Sequence, residues 1–324
     1  MNILKTQKAI DWSLLLIINF MWATQVPVIR YIGDRIGSVT VAFIPMIVST
    51  LFFLPILWME NKKRGVKFRW RWGEIKYFII SGLIGIFLLQ YAYTLGSTMT
   101  LAANAGIITL TIPVLVAIIA SFMLKEKLNA VRIMSFILAI IGVLMTSVSD
   151  ISGANFLLSE YLTGNLVFLF ACLCCAFYNT YCKMLVDKQF TELEILVYSS
   201  IIGSIASIPL LIWVEPFHLI KFLETGKIAV YGILELSIFV YGIPSLLFFY
   251  VLKRMDVTQA ILSNYLLPFF IAFLGIILLN EKISLLMVIG GLIIFLSTLM
   301  VTVYEKVLIG FIEKITSKKS KINY

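Results

Sequence analysis

Of the 17 acidic residues in the chain, one, Glu235, stands in the middle of an apolar run. A carboxylate in such surroundings is costly unless it has a partner, and it marks a functional site by default. It could bind and release a proton, or face a cationic group. Amides are the second resource: Gln25, Gln90, Asn104, Asn179, Gln259 and Asn264 all fall within apolar runs. They can hydrogen-bond a zwitterion without burying a permanent charge, and their alternative use is as interhelical glue. Trp22, Tyr91, Tyr93, Tyr178 and Tyr265 each share a run with an amide. Aromatic walls with few charges suit amino acids, nucleobases or amphipathic drugs.

Other chemistries lack their residues. His218 is the single histidine, which leaves no Ser-His-Asp triad and no His-rich metal site. The four cysteines, Cys172, Cys174, Cys175 and Cys182, lie in one apolar run and form no loop disulfide framework. Cys172, Cys175, Asn179 and Cys182 share a helical face, read as buried packing rather than as a metal site. The sequence contains neither a phosphate-binding G-x-x-x-x-G-K-[ST] motif nor H-E-x-x-H. The expectation is a non-enzyme without cofactor or metal, with an intramembrane lipid-modifying enzyme as the weakest alternative.

Hydrophobic residues make up 61% of the 324 and charged residues 13%, against roughly 45–50% and 25% in soluble domains. Apolar runs fall at 12–29, 38–59, 75–95, 99–123, 130–148, 164–182, 193–214, 228–251, 257–279 and 285–304. Each is long enough to cross or nearly cross a bilayer. The first run is read as a retained helix rather than a cleaved signal peptide, because it has a counterpart in the second half. Gly96 to Thr98 and Asn280 to Ser284 are expected to be tight hairpins. Pro27, Pro113, Pro244 and Pro268 interrupt four of these runs, where a missing N–H kinks a helix.

Lysine and arginine fix an orientation. With the N-terminus in the cytoplasm, 21 of the 26 basic residues fall on the cytoplasmic side. Both termini are therefore expected there. The net charge of +9 then reports topology and anionic headgroups, not a nucleic-acid partner.

The two halves repeat at a nearly constant offset. Ile112-Pro113-Val114 matches Leu267-Pro268-Phe269, and Glu126-Lys127 matches Glu281-Lys282. Asn104 falls against Gln259, Leu54-Pro55 against Ile208-Pro209, and Trp22-Ala23 against Cys175-Ala176. Five helices per copy is an odd number, so the second copy enters the membrane from the opposite face. The expected fold is an all-α membrane protein of ten transmembrane helices, formed as two inverted five-helix repeats at 1–148 and 149–324. Asn104 and Gln259 gain weight as matched positions near helix starts, where free N–H groups attract carboxylates.

Further residues carry a family resemblance. They are Asn19 through Thr24, Ala103-Asn104-Ala105 leading to Thr111 through Val114, Gly164-Asn165, Tyr250 through Arg254, and Leu279 through Lys282. The chain resembles the EamA-type, ten-helix branch of the drug/metabolite transporter superfamily. Departures include Ala23 and Cys175 at family glycine and tryptophan positions. The resemblance implies a central cavity lined by the first, third, fourth, sixth, eighth and ninth helices. It also implies that the fifth and tenth pack together at the rim, where a homodimer could form. The reading is a secondary exporter or exchanger of small organic metabolites, amino acids or related compounds, in a bacterial inner membrane. Proton coupling through Glu235 is a subsidiary expectation. The alternative is proton-coupled efflux of cationic, lipophilic drugs, with Glu235 as counter-charge.

Overall fold

The structure is a computed structural model describing residues 2–65, 72–99, 105, 108–109, 111–125, 129–147, 162–215, 224–279 and 285–302, with 307 and 310. Among the described residues the chain forms ten helical rods. α1 is Asn2–Ala23, continued after Thr24 by Gln25–Ile36; α2 is Ser38–Lys63. α3 runs through Trp72–Ile80, a π-helical Ser81–Leu88 and Leu89–Met99. α4 is Thr111–Met123, α5 Ala130–Ser147 and α6 Leu162–Asp187. α7 is Glu192–Pro209 with a π-helical end, Leu210–Val214. α8 is Lys227–Leu234, π-helical Glu235–Gly242 and Ile243–Leu252. α9 is Val257–Ile261, a 3₁₀ turn Leu262–Leu266 and Leu267–Leu279; α10 is Leu285–Thr302.

Six helices among the described residues are long and apolar enough to cross a membrane. Leu51, Phe122, Trp213, Ile277 and Leu296 are among the many large apolar side chains on the outer surface. In water that surface would be untenable. An all-α membrane protein is the consistent reading, since helices satisfy every backbone group internally.

Irregularities recur at the repeat offset. Ser81–Leu88 and Glu235–Gly242 are both eight-residue π-helical stretches, 154 positions apart. In α8 the stretch ends just before Pro244, which has no N–H to donate to the preceding turn. In α3 glycine serves instead: a Cβ on Gly82 would lie 2.7 Å from Ser199 O and Ile202 Cβ of α7. Pro55 and Pro209, also 154 apart, sit inside α2 and end the regular part of α7.

α2 and α7 occupy matched places and run antiparallel. At one end Glu215, just past α7, accepts hydrogen bonds from the Val39 and Thr40 N–H groups at the start of α2, at 3.1 and 2.9 Å. At the other, Arg64 after α2 lies 3.9 Å from Glu194 at the start of α7. α5 and α10 pack side by side. There Ser135 and Ser297 each donate to the other's carbonyl at 2.9 Å.

One expectation needs correction. Gly96 to Thr98 is no hairpin, because α3 stays helical through Met99. The glycine serves close packing: a Cβ there would lie 2.9 Å from the Phe168 backbone of α6. Asn280 to Ser284, Glu126-Lys127, Glu281-Lys282 and His218 lie outside the described residues.

Candidate functional site

α1 is broken at Thr24. Pro27 supplies no N–H to the turn before it, and the Thr24 hydroxyl turns back to donate to Met21 O at 2.7 Å. The break turns Trp22 and Gln25 toward the bundle axis. There a partly open cavity of about 120 Å³ is lined by α1, α3, α4, α6, α8, α9 and Thr109 just before α4. Seven of the residues singled out from sequence line it: Trp22, Gln25, Gln90, Tyr93, Tyr178, Asn179 and Asn264.

The amides are held in a loose polar net. Gln25 Nε2 donates to Gln90 Oε1 and to the Tyr241 hydroxyl, both at 3.4 Å. Asn179 Nδ2 donates to Cys175 Sγ at 3.3 Å. Asn264 Oδ1 is buried and has no partner among the described residues, leaving an acceptor without a donor in the wall. The aromatic members are braced from behind. Trp22 packs on Phe248 at 5.4 Å between centroids, and Tyr93 on Phe168 at 4.8 Å. Tyr178 crosses Gly85, where a Cβ would sit 1.8 Å from the ring. No described lining residue carries a formal charge.

The other expected residues stand elsewhere. Tyr91 faces α2, stacked on Phe43 at 6.1 Å. Tyr265 is fully buried in the 3₁₀ turn of α9, edge-on to Phe136 of α5. Gln259 is half-buried at the start of α9, away from the lining. Asn104 lies outside the described residues. Glu235 opens the π-helical stretch of α8 and accepts a hydrogen bond from Thr24, but it belongs to a separate hollow.

Thr109, Cys175, Tyr241 and Ser245 also line the cavity. The repeat could have found three of them. Thr109 is matched to Asn264, Ser245 to Gln90 and Cys175 to Trp22, while Ile112 meets Leu267 and Gln25 meets Tyr178. Ten of the sixteen lining residues thus fall in five matched pairs, and in four of these the members differ chemically. Among the described residues no group of three His, Cys, Asp or Glu is placed to hold a metal ion.

Charges collect at one end of the bundle. Arg254 reaches Asp11 of α1, and Lys253 lies 2.7 Å from Glu192. Arg132 lies 3.5 Å from Asp256, and Lys183 donates to Leu252 O at 2.7 Å. The hydrogen bond to Asp11 is the leading reason that the Arg254 guanidinium is held above its ordinary range.

A bundle of apolar helices around a small uncharged cavity is the general form of a membrane transporter's substrate path. Its family follows from the sequence: residues 12–148 and 162–303 each match the EamA-like transporter family, and the chain belongs to it. It is 23% identical to the uncharacterized transporter YoaV of Bacillus subtilis (strain 168), over 74% of this chain and 78% of that one. An uncharacterized transporter of Archaeoglobus fulgidus is 21% identical, over 88% and 96%. An S-adenosylmethionine uptake transporter of Rickettsia conorii is 25% identical, over 71% and 70%. A solved crystal structure shares the fold with a TM-score of 0.69 at 16% identity, covering 90% of this chain and 98% of that one.

Proposed function

We propose that the chain is a secondary transporter that exports or exchanges amino acids or related small metabolites by alternating access. The observation that carries this is the cavity: four amides and three expected aromatics from both halves converge on one uncharged space. Amides can pair with both ends of a zwitterion at no permanent charge cost. The unequal members of four matched pairs would give the ligand one orientation.

Two inverted halves supply the motion. Antiparallel packing of the matched α2 and α7 supports the inversion, since two copies of one helix in one orientation would run parallel. The same packing in opposite sense offers two gates of similar energy. A cavity of about 120 Å³ is below the roughly 300–1,000 Å³ of ordinary ligand sites, which suits a contracted conformation. The ion-paired end is the one that the basic-residue count assigns to the cytoplasm, so this form would be closed inward. Both termini would then be cytoplasmic, in a bacterial inner membrane. Protons would enter through Glu235, which touches the break of α1 beside Gln25.

The test compares metabolites in the medium of overexpressing and deletion cells, then measures the candidates in proteoliposomes. The panel includes S-adenosylmethionine, an amino-acid derivative named for the Rickettsia relative. Expected is at least one zwitterion whose transport falls about tenfold in Gln90→Ala or Asn264→Ala, a loss of about 1.4 kcal/mol in binding. Transport unaffected by both changes would overturn the assignment of the cavity.

A further inference from the structure

The turn Lys253–Asp256 joins α8 to α9 at the ion-paired end of the bundle. From this short segment and the carbonyl just before it, ties run to four other helices. Lys253 Nζ lies 2.7 Å from Glu192 at the start of α7, and Arg254 pairs with Asp11 of α1. Asp256 lies 3.5 Å from Arg132 of α5, and Leu252 O accepts from Lys183 of α6 at 2.7 Å. The turn also stands between two helices of the cavity wall. α8 contributes Tyr241 and Ser245, and α9 contributes Asn264. A shift of the turn therefore moves both.

The matched positions of the other half carry no such charges. At the offset of 154 that separates the π-helical stretches, Lys253, Arg254 and Asp256 fall on Met99, Thr100 and Ala102. Their partners Glu192, Asp11 and Arg132 fall on Ser38, Asn165 and Leu286. All six counterparts are uncharged. At that end Glu215 takes the N–H groups of Val39 and Thr40 instead of a cation. The two ends of the inverted repeat are thus held by different forces, and salt tells them apart. The Lys253 and Asp256 side chains are 42% and 56% exposed. Ion pairs that water reaches are screened as the Debye length falls from about 10 Å at 0.1 M salt to about 3 Å at 1 M. A part-buried carboxylate held by direct hydrogen bonds is screened much less. Exposed pairs are weak singly, but here they act on one turn and their losses add.

We propose that the Lys253–Asp256 turn is an ionic latch through which cytoplasmic salt regulates the transporter, high salt opening the cavity toward the cytoplasm. The buried Arg254–Asp11 pair sets the closed register, and the exposed Lys253 and Asp256 pairs make it salt-responsive. This rests on the alternating-access reading above and on the orientation given there. Export would then follow the ion concentration of the cytoplasm without a dedicated effector site.

The test is the rate at which N-ethylmaleimide alkylates Cys175, in the cavity wall, with the full-length protein in membrane vesicles. The reagent is uncharged, so screening acts on the protein alone. Inside-out vesicles with glutathione trapped in the lumen restrict attack to the cytoplasmic side, and right-side-out vesicles restrict it to the other. Cys175→Ser identifies the reacting thiol, because Cys172, Cys174 and Cys182 are buried. Expected in inside-out vesicles is a rate about threefold higher or more in about 1 M than in about 0.1 M KCl. Sucrose of equal osmolarity should not raise it, and right-side-out vesicles should show no such rise. Lys253→Gln with Asp256→Asn, both at exposed side chains, should be fast at either salt concentration. Lys76→Gln, at an exposed basic residue near the start of α3 outside the network, should keep the salt response. A wild-type rate indifferent to KCl, an equal rise in sucrose, or an unchanged salt response in the double variant would overturn the latch. A salt response confined to right-side-out vesicles would keep the latch and overturn its cytoplasmic assignment. No substrate enters the assay, so a failed search for transported metabolites leaves its result standing.

Discussion

Arg254, in the turn after α8, donates from Nε to both carboxylate oxygens of Asp11 in α1, at 3.0 and 3.2 Å. Its guanidinium also lies 3.8 Å from the centroid of the Tyr250 ring. Asp11 is 4% exposed, so removing the cation strands a buried carboxylate. Arg254→Leu should cost roughly 3 kcal/mol, the lower end for breaking a buried pair, read as a fall in Tm in detergent. The pair also ties α1 to α8 at the ion-paired end. Its loss should speed alkylation of Cys175, in the cavity wall, from that side. The double change Arg254→Leu with Asp11→Leu should recover part of the stability. An unchanged alkylation rate would remove this pair from any gate.

At the opposite end Glu215 caps α2. Its carboxylate takes the Val39 and Thr40 N–H groups and the Thr40 hydroxyl, the last at 3.0 Å. These are orphan donors at the positive end of a helix dipole. Glu215→Ala should cost about 1–2 kcal/mol. Gly37 has φ +93°, and a Cβ there would come within 2.2 Å of Glu215 Oε1. Gly37→Ala should therefore lower the Tm at least as much, through left-handed strain and displacement of the cap together. Gly65→Ala, where φ is also positive but the space is open, separates the two causes: it carries the strain alone.

Spacing made the ten runs and the repeat legible because lipid demands long apolar helices and leaves few places for polar groups. It also pointed to seven of the sixteen residues that line the cavity, since an amide inside a bundle needs a partner or a space. Tyr91 and Tyr265 stand outside that wall, because the rotation of a helix that is apolar on all sides cannot be read from hydrophobic period. Gly96 looked like a turn because a glycine's two uses, positive φ and close approach, leave the same letter. In α8 the π-helical stretch ends beside Pro244, whose interruption was legible; in α3 it coincides with close contacts, such as Gly82 against Ser199, that only the packed bundle defines.

Gly85 positions a ligand-facing ring without touching the cavity. A Cβ at this glycine would overlap Tyr178 Cδ2 at 1.8 Å, and the ring edge cannot retreat far because Phe249 stands edge-on to it at 6.4 Å. Gly85→Ala should push Tyr178 into the cavity at an overpacking cost of about 1–3 kcal/mol. Transport should fall about tenfold or more. Pairing the change with Tyr178→Ala relieves the overlap and should restore the Tm more than it restores transport. Equal recovery of both would mean that the tyrosine has no part in binding.

The proposed proton coupling through Glu235 has its own test. In proteoliposomes with an imposed pH gradient, Glu235→Gln keeps shape and hydrogen-bonding capacity but cannot change charge. Uphill transport should be lost, and the pH dependence of the remaining downhill exchange should flatten. Thr24→Val removes the hydroxyl that bonds Glu235 while leaving the carboxyl able to titrate. It should therefore keep uphill transport and move the midpoint of its pH profile. Full uphill transport in Glu235→Gln, with its pH profile intact, would assign the coupling elsewhere.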